Sequence, residues 1–226
     1  MRATLVALMG VALFSATPAV PAAAQSADAP QVLVDEAVAA LQDFATDEHF
    51  ADVDAYLSRA KAVMIVPRLI KAGFIVGGEM GDGVVLARTP DGGWSSPAFY
   101  SLAGGSIGLQ AGAESKQIII AIMTDKGLNE LMSNQFEAGA NASIAVGDVG
   151  GGVGAGSVGS LEADMVAFSR SKGLFGGGSL DGTLIRPDAE KNAAYYGAGT
   201  GPREILIART ATNSRAGDLQ AALSGR

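Results

Sequence analysis

Four cations and three aromatics stand close together in the first half of this chain: Arg59, Lys61, Arg68 and Lys71, followed by Trp94, Phe99 and Tyr100. Lys and Arg beside amphipathic rings can meet a phospholipid headgroup and its acyl boundary. The competing reading leaves the cations in solvent and packs the rings into a core. Other chemistry finds little support. Gly154-Ala155-Gly156-Ser157-Val158-Gly159 matches G-x-G-x-x-G. A dinucleotide site needs that loop to open a helix within a βαβ unit, whereas Leu161 to Ser169 reads as a strand. No Gly-Lys-Ser or Gly-Lys-Thr occurs, so there is no P-loop, and no G-x-S-x-G elbow is present. His49 is the single histidine and sits in an acidic loop with no evident serine partner. With no cysteine either, most metal and thiol chemistry is removed. Hydrolysis by two carboxylates needs only two acids that meet in space, and nothing in the sequence singles out a pair. No catalytic residue, metal or cofactor is expected.

The elements that would carry the cluster belong to a chain of 226 residues with net charge −7. The charge is uneven. Ala3 to Ser58 contains no Lys or Arg, yet carries Asp28, Asp35, Glu36, Asp43, Asp47, Glu48, Asp52 and Asp54; from Arg59 onward acids and bases balance. A nucleic-acid partner is not expected, because phosphate binding depends on clustered Lys and Arg.

The first residues read as an export leader. Arg2 supplies a positive start, Leu5 to Phe14 is an uncharged apolar run, and Ala22-Ala23-Ala24 offers the small residues a signal peptidase requires. The run is shorter than the roughly 20 residues a membrane span takes. Residues 1–24 are therefore expected to be a cleaved signal peptide and 25–226 a single domain, periplasmic or secreted. Without a disulfide, such a domain relies on its hydrophobic core.

Gln31 to Thr46 has the spacing of an amphipathic helix, with Val34, Ala37, Val38, Leu41 and Phe44 on one face. A shorter helix is predicted over Asp52 to Arg59, then a buried strand from Ala62 to Val66. Most of the 31 glycines fall between Gly73 and Gly201, interleaved with Val, Ile and Phe. That mixture disfavours helix and suits bent strands. Strands are predicted near Phe74–Gly78, Gly83–Arg88, Ala98–Ala111, Gln117–Met123, Ser143–Val149, Asp164–Ser169, Leu174–Ser179 and Glu204–Ala208. Thr124 can cap a helix from Asp125 to about Asn134, and Ala216 to Leu223 can form a last one. Gly73–Met80 and Gly173–Leu180 resemble each other, which suggests two similar hairpins. Gly77 and Gly78 are expected to resist replacement if they need positive φ or a close neighbour.

Several of these segments resemble a known family. Ala55-Tyr56-Leu57-Ser58-Arg59-Ala60-Lys61-Ala62-Val63 with Ile65-Val66-Pro67, Lys71-Ala72-Gly73-Phe74-Ile75-Val76-Gly77-Gly78 and Trp94-Ser95-Ser96-Pro97-Ala98-Phe99-Tyr100 are similar to successive signatures of the SYLF domain. So are Gly108-Leu109-Gln110-Ala111-Gly112, Ser169 to Gly177, and Asn192-Ala193-Ala194-Tyr195-Tyr196-Gly197. The SYLF domain is the lipid-binding domain of eukaryotic actin regulators that bind Las-type proteins. The resemblance implies a non-catalytic role in binding a phospholipid or membrane surface. In the eukaryotic members a basic N-terminal helix helps meet the membrane, whereas Gln31 to Thr46 is acidic here. Export would also separate this chain from actin. A protein-interaction or scaffold module of the envelope is the alternative, its partner unnamed. The fold expected is α+β: N-terminal helices on a strongly bent, mostly antiparallel, glycine-rich sheet, barrel-like in curvature, with a helix inserted after Met123.

Overall fold

The centre of the sheet is β1 (Ala62–Gly73), hydrogen-bonded to β2 (Val76–Ala87) on one side and β4 (Gly112–Ile122) on the other, both antiparallel. This computed structural model describes residues 28–73, 76–107, 112–146, 163–171 and 182–226. The predicted leader, the Gly154–Gly159 loop, the Leu174–Ser179 strand and the second member of the Gly73/Gly173 pair lie outside the described residues.

β1 begins as an unbroken apolar run because both of its faces are buried. Val63 and Ile65 enter one core, while Ala62, Met64 and Val66 enter another. Pro67 then interrupts the strand. Proline cannot donate to a ladder, so a central strand tolerates it only at a bulge. Both ladders shift register there, between Ile65 and Arg68 toward β2 and between Val66 and Leu69 toward β4. The bulge presses backbone against β2. A Cβ on Gly81 would lie 2.5 Å from the Arg68 carbonyl oxygen, and one on Gly83 2.9 Å from that of Ile65. Those two glycines are what the bulge needs.

The remaining strands are β3 (Ala98–Ile107), β5 (Phe136–Glu137), β6 (Ile144–Val146), β7 (Met165–Ser171) and β8 (Leu184–Pro187). Among the described residues they form one sheet of order β5-β8-β3-β2-β1-β4-β7-β6. Only β6 and β7 run parallel. The edge strands β5 and β6 are adjacent in sequence, joined by the short segment 138–143, which turns back on itself through an Ala138–Ala142 bridge. Laid flat, eight strands would hold their edges about 34 Å apart at roughly 4.8 Å per strand. A short, folded connection cannot reach that far, so the sheet curls into a half-barrel.

Two cores follow. The outer one lies between the sheet and a helical layer: α1 (Ala29–Thr46), α2 (Val53–Leu57), α4 (Ala189–Tyr196) and α5 (Gly217–Ser224). It contains Leu41, Phe44, Leu57, Phe99, Phe168 and Leu219. The inner one fills the concave face with Met64, Tyr100, Phe136, Ile118 and Ile120, closed by α3 (Asp125–Leu131) through Leu128 and Leu131. Among the described residues no helix is long and apolar enough to cross a membrane.

Thr124 caps α3 as predicted, its Oγ1 accepting from the Gly127 N–H. Asp164 holds this corner. It accepts from Thr124 Oγ1 at 2.7 Å, Lys126 Nζ at 3.0 Å, and the Ser143 N–H and hydroxyl at 3.1 Å. The Thr124 hydrogen bond leads, and against the opposing effect of burial these partners lower the Asp164 pKa from 3.8 to about 2. A depressed carboxylate contributes stability at pH values above its unfolded pKa and loses it as pH falls through the folded one. Stability should therefore drop by about 1–2 kcal/mol between roughly pH 5 and pH 2 on account of this group. In Asp164→Asn that part of the acid dependence should vanish and the neutral-pH stability should already be lower. Urea midpoints across this range check it; an unchanged slope in the variant would contradict the assignment.

Several predicted boundaries need correction. The strands predicted separately near Phe74–Gly78 and Gly83–Arg88 fall on one: β2 runs continuously from Val76 to Ala87, between β1 and β3. Glycine-rich Gly77 to Gly83 looks like turn chemistry but is a strand that must pass close to a bulged neighbour. Glu204–Ala208 is not a strand. Arg203–Ile207 forms a single π-helical turn, with the Ala208 N–H donating to the Arg203 carbonyl. Pro202 starts it, and Glu204 reaches back to accept from the Gly201 N–H. Ile205 and Leu206 enter the inner core as consecutive residues, which an alternating strand could not do. The predicted Ala98–Ala111 strand ends at Ile107 among the described residues.

Candidate functional site

The cations predicted to act together do not share a surface. Lys61 and Lys71 sit at opposite ends of β1, ten residues apart, which in a strand is roughly 33 Å. Arg59 is exposed just before it. Lys61 pairs with Asp125 at 2.9 Å. Lys71 lies across from Glu79 on β2 and Glu114 on β4, on the face opposite Arg68. The aromatics are core residues: Trp94 is 6% exposed, and Phe99 and Tyr100 are 0%. Trp94 stacks under Arg88, whose guanidinium carbon lies 4.2 Å from the ring centroid. That guanidinium also donates to the Leu57, Ala60 and Gly92 carbonyls. Phe99 packs edge-on against Tyr195. Sequence spacing was a poor guide here because a long strand separates what a helix would have gathered.

Arg68 alone of the seven lines an open groove on the outer face. The groove runs between the first turns of α1 and strands β1 to β3. Val32 of α1, Ile70 of β1 and Met80 of β2 are exposed by 54%, 43% and 68%. Ile70 and Met80 are direct cross-strand partners. With Leu33, they form the apolar lining of a groove of about 690 Å³. Ser101, Leu102 and Lys191 complete one side.

The rim is charged in both signs. Arg68 Nη2 reaches Glu36 Oε1 at 3.0 Å. Lys191 Nζ lies 3.1 Å from Asp82 and 2.6 Å from Asp188. Ser101 Oγ is within 3.0 Å of both of those carboxylates and can donate to either. Asp28, at the groove's end, faces Arg215 at 3.6 Å. Burial works to raise Asp188, but its hydrogen bonds with Lys191 outweigh that and hold it below the usual carboxylate range. Burial likewise works to lower Lys191, and Asp188 and Asp82 outweigh it, so the amine stays charged. This arrangement stabilises both ions. A general acid or base needs the opposite, a proton poised to move near neutral pH. Among the described residues no three His, Cys, Asp or Glu side chains gather into a metal site.

Sequence reasoning missed Lys191 and Met80. Lys191 lies on α4, which a capped-helix signal could have found: Asp188, followed by Ala-Glu-Lys-Asn-Ala-Ala, accepts from the Lys191 N–H as an N-cap.

The family described as Ysc84, Las17-binding protein actin regulator, matches residues 103–226. The chain belongs to this family. Protein YSC84 of Saccharomyces cerevisiae is 32% identical over 174 residues, 75% of this chain and 37% of that protein. LAS seventeen-binding protein 3 of the same yeast is 33% identical over 156 residues, 68% of this chain and 34% of that protein. SH3 domain-containing YSC84-like protein 1 of Homo sapiens is 31% identical over 164 residues, 72% of this chain and 48% of that protein. This Ysc84-family chain thus spans less than half the length of the curated relatives it matches. One of those relatives is named for LAS seventeen binding, and the family description names Las17 binding and actin regulation. Lys191 falls within the family match, while Arg68, Ile70 and Met80 precede it.

Proposed function

We propose that this Ysc84-family chain is a non-catalytic phospholipid-binding module of the cell envelope, and that it holds the lipid in the groove beside α1. One observation carries the reading: exposed Val32, Ile70 and Met80 share a groove with Arg68 and Lys191. Contiguous apolar exposure on a soluble fold marks a binding surface, and apolar lining with a few polar groups at one side is what an acyl chain and its headgroup require. The family resemblance to lipid-binding SYLF domains supports it. The predicted leader supports export, and with it a role apart from actin.

Met80→Asp tests this. Met80 is 68% exposed, so the fold should tolerate the change. Placing a carboxylate where an acyl chain lies should weaken liposome co-sedimentation by about tenfold or more. Equal sedimentation of the variant at low salt and an unchanged melting temperature would overturn the groove as the site.

A second reading follows from the family description, which names Las17 binding, and from the relative named LAS seventeen-binding protein 3. The acidic helix α1, where Asp35 is exposed while Glu36 and Asp43 reach Arg68 and Arg170 of the sheet, would then dock a basic protein partner. Crosslinking in cells that recovers a specific protein, with no lipid bound by the pure domain, favours this reading over the first.

A further inference from the structure

We infer that the groove selects a zwitterionic phospholipid, whose headgroup carries an ammonium as well as a phosphate, over an anionic one. The inference rests on the lipid reading above and specifies the headgroup.

The charge pattern of the rim is the ground for it. Three carboxylates line the groove, Asp28, Glu36 and Asp82, against two cations, Arg68 and Lys191. Neither cation is free. Arg68 is paired with Glu36, and Lys191 is shared between Asp82 and Asp188. An anionic headgroup would have to displace a carboxylate from each cation and would then face those displaced acids. It would bring only negative charge to a rim that already has an excess of it. With the ion-pair partners of the lining included, Asp188 on Lys191 and Arg215 on Asp28, acids still outnumber cations by one, and α1 itself carries Asp35, Glu36 and Asp43 and no Lys or Arg.

A zwitterionic headgroup meets a different balance. Its phosphate can approach Arg68, which is 60% exposed, while its ammonium lies against Glu36, Asp28 or Asp82, which are 38%, 79% and 41% exposed. The Glu36–Arg68 pair presents minus beside plus, and a phosphate–ammonium dipole laid antiparallel to it matches both signs. The alkyl chain then runs over Ile70 and Met80. Like charges across a contact are penalised and opposite charges set specificity more than affinity, so the expected signature is a preference between headgroups at similar apolar contact.

The test uses the mature domain with vesicles of phosphatidylcholine alone, phosphatidylcholine with phosphatidylethanolamine, and phosphatidylcholine with phosphatidylglycerol, at low and at physiological salt. The zwitterionic vesicles should bind about fivefold more tightly than those containing phosphatidylglycerol, with the gap narrowing as salt rises. The doubly neutralised variant Asp28→Asn/Glu36→Gln should lose that preference or reverse it, because Arg68 is then released. Equal or tighter binding to phosphatidylglycerol by the unaltered protein would overturn the inference while leaving lipid binding intact. A preference unchanged in the variant would equally overturn the assignment to this rim. Binding to none of the vesicles, together with no effect of Met80→Asp, would instead remove the lipid reading on which it rests.

Discussion

Gly81→Val is expected to destabilise the domain by about 3 kcal/mol, and Gly83→Val by a similar amount. The cause is backbone, not side chain. At Gly81 a Cβ would meet the Arg68 carbonyl oxygen at 2.5 Å and the Leu69 Cα at 3.1 Å, and neither can swing aside. At Gly83 it would meet the Ile65 carbonyl oxygen at 2.9 Å and the Val66 side chain at 3.0 Å. Relief requires the Pro67 bulge to move, and both ladders of the central strand depend on it. Gly78→Ala is the internal control. Its Cβ would find only the Gly104 carbonyl oxygen, at 3.8 Å, so the change should stay within about 0.5 kcal/mol. Urea denaturation of the three variants decides it; a Gly81→Val protein as stable as Gly78→Ala would refute the close-approach argument. For Gly78 the expectation is corrected: its φ is not positive and its surroundings are open, and the crowding among the described residues lies at Gly81 and Gly83.

Asn192→Leu should cost about 2–4 kcal/mol. Asn192 is 1% exposed and acts as a strand would, against β3. Its Nδ2 donates to the Phe99 carbonyl at 3.0 Å and its Oδ1 accepts from the Phe99 N–H at 2.9 Å. Leucine has the same branching at Cγ but pairs with neither group. The Phe99 carbonyl would keep the Asp188 N–H at 2.8 Å, whereas its own N–H would be orphaned inside the protein. Because α4 also carries Lys191, the proposed lipid binding should weaken along with stability. A loss of under about 0.5 kcal/mol would mean that β3 finds another partner for that amide.

Where the sequence could be read, local signals agreed with tertiary ones. The face of α1 was visible in Val34, Ala37, Leu41 and Phe44, all of which are buried. Thr124 announced α3, and glycines interleaved with Val, Ile and Phe announced bent strands. Family motifs pointed to the same α+β class that the structure has. The candidate site was much less legible. Arg68 was identified, but its neighbours in the groove come from α1, β2, β3 and α4, far apart in the chain. Periodicity within one element does not reveal which elements become adjacent. The aromatics misled for a different reason: Trp, Phe and Tyr beside cations read equally well as interface or as core, and burial decides between them. The π turn at Arg203–Ile207 shows a third limit, since Ile-Leu-Ile has strand propensity that packing into the inner core overrides.

β1 is a wall common to both cores, with Val63 and Ile65 on one side and Met64 and Val66 on the other. A slip of one residue in its pairing would exchange the contents of the two compartments at once. Neither compartment can therefore loosen alone while β1 keeps its place. The domain should open as one cooperative unit, with the amides of β1 exchanging their hydrogens only through global unfolding. The Pro67 bulge locks that register, because a shifted strand would set a residue with no donor against an unbulged ladder. A single irregularity in the middle of the sheet thus protects the domain from misaligned folding.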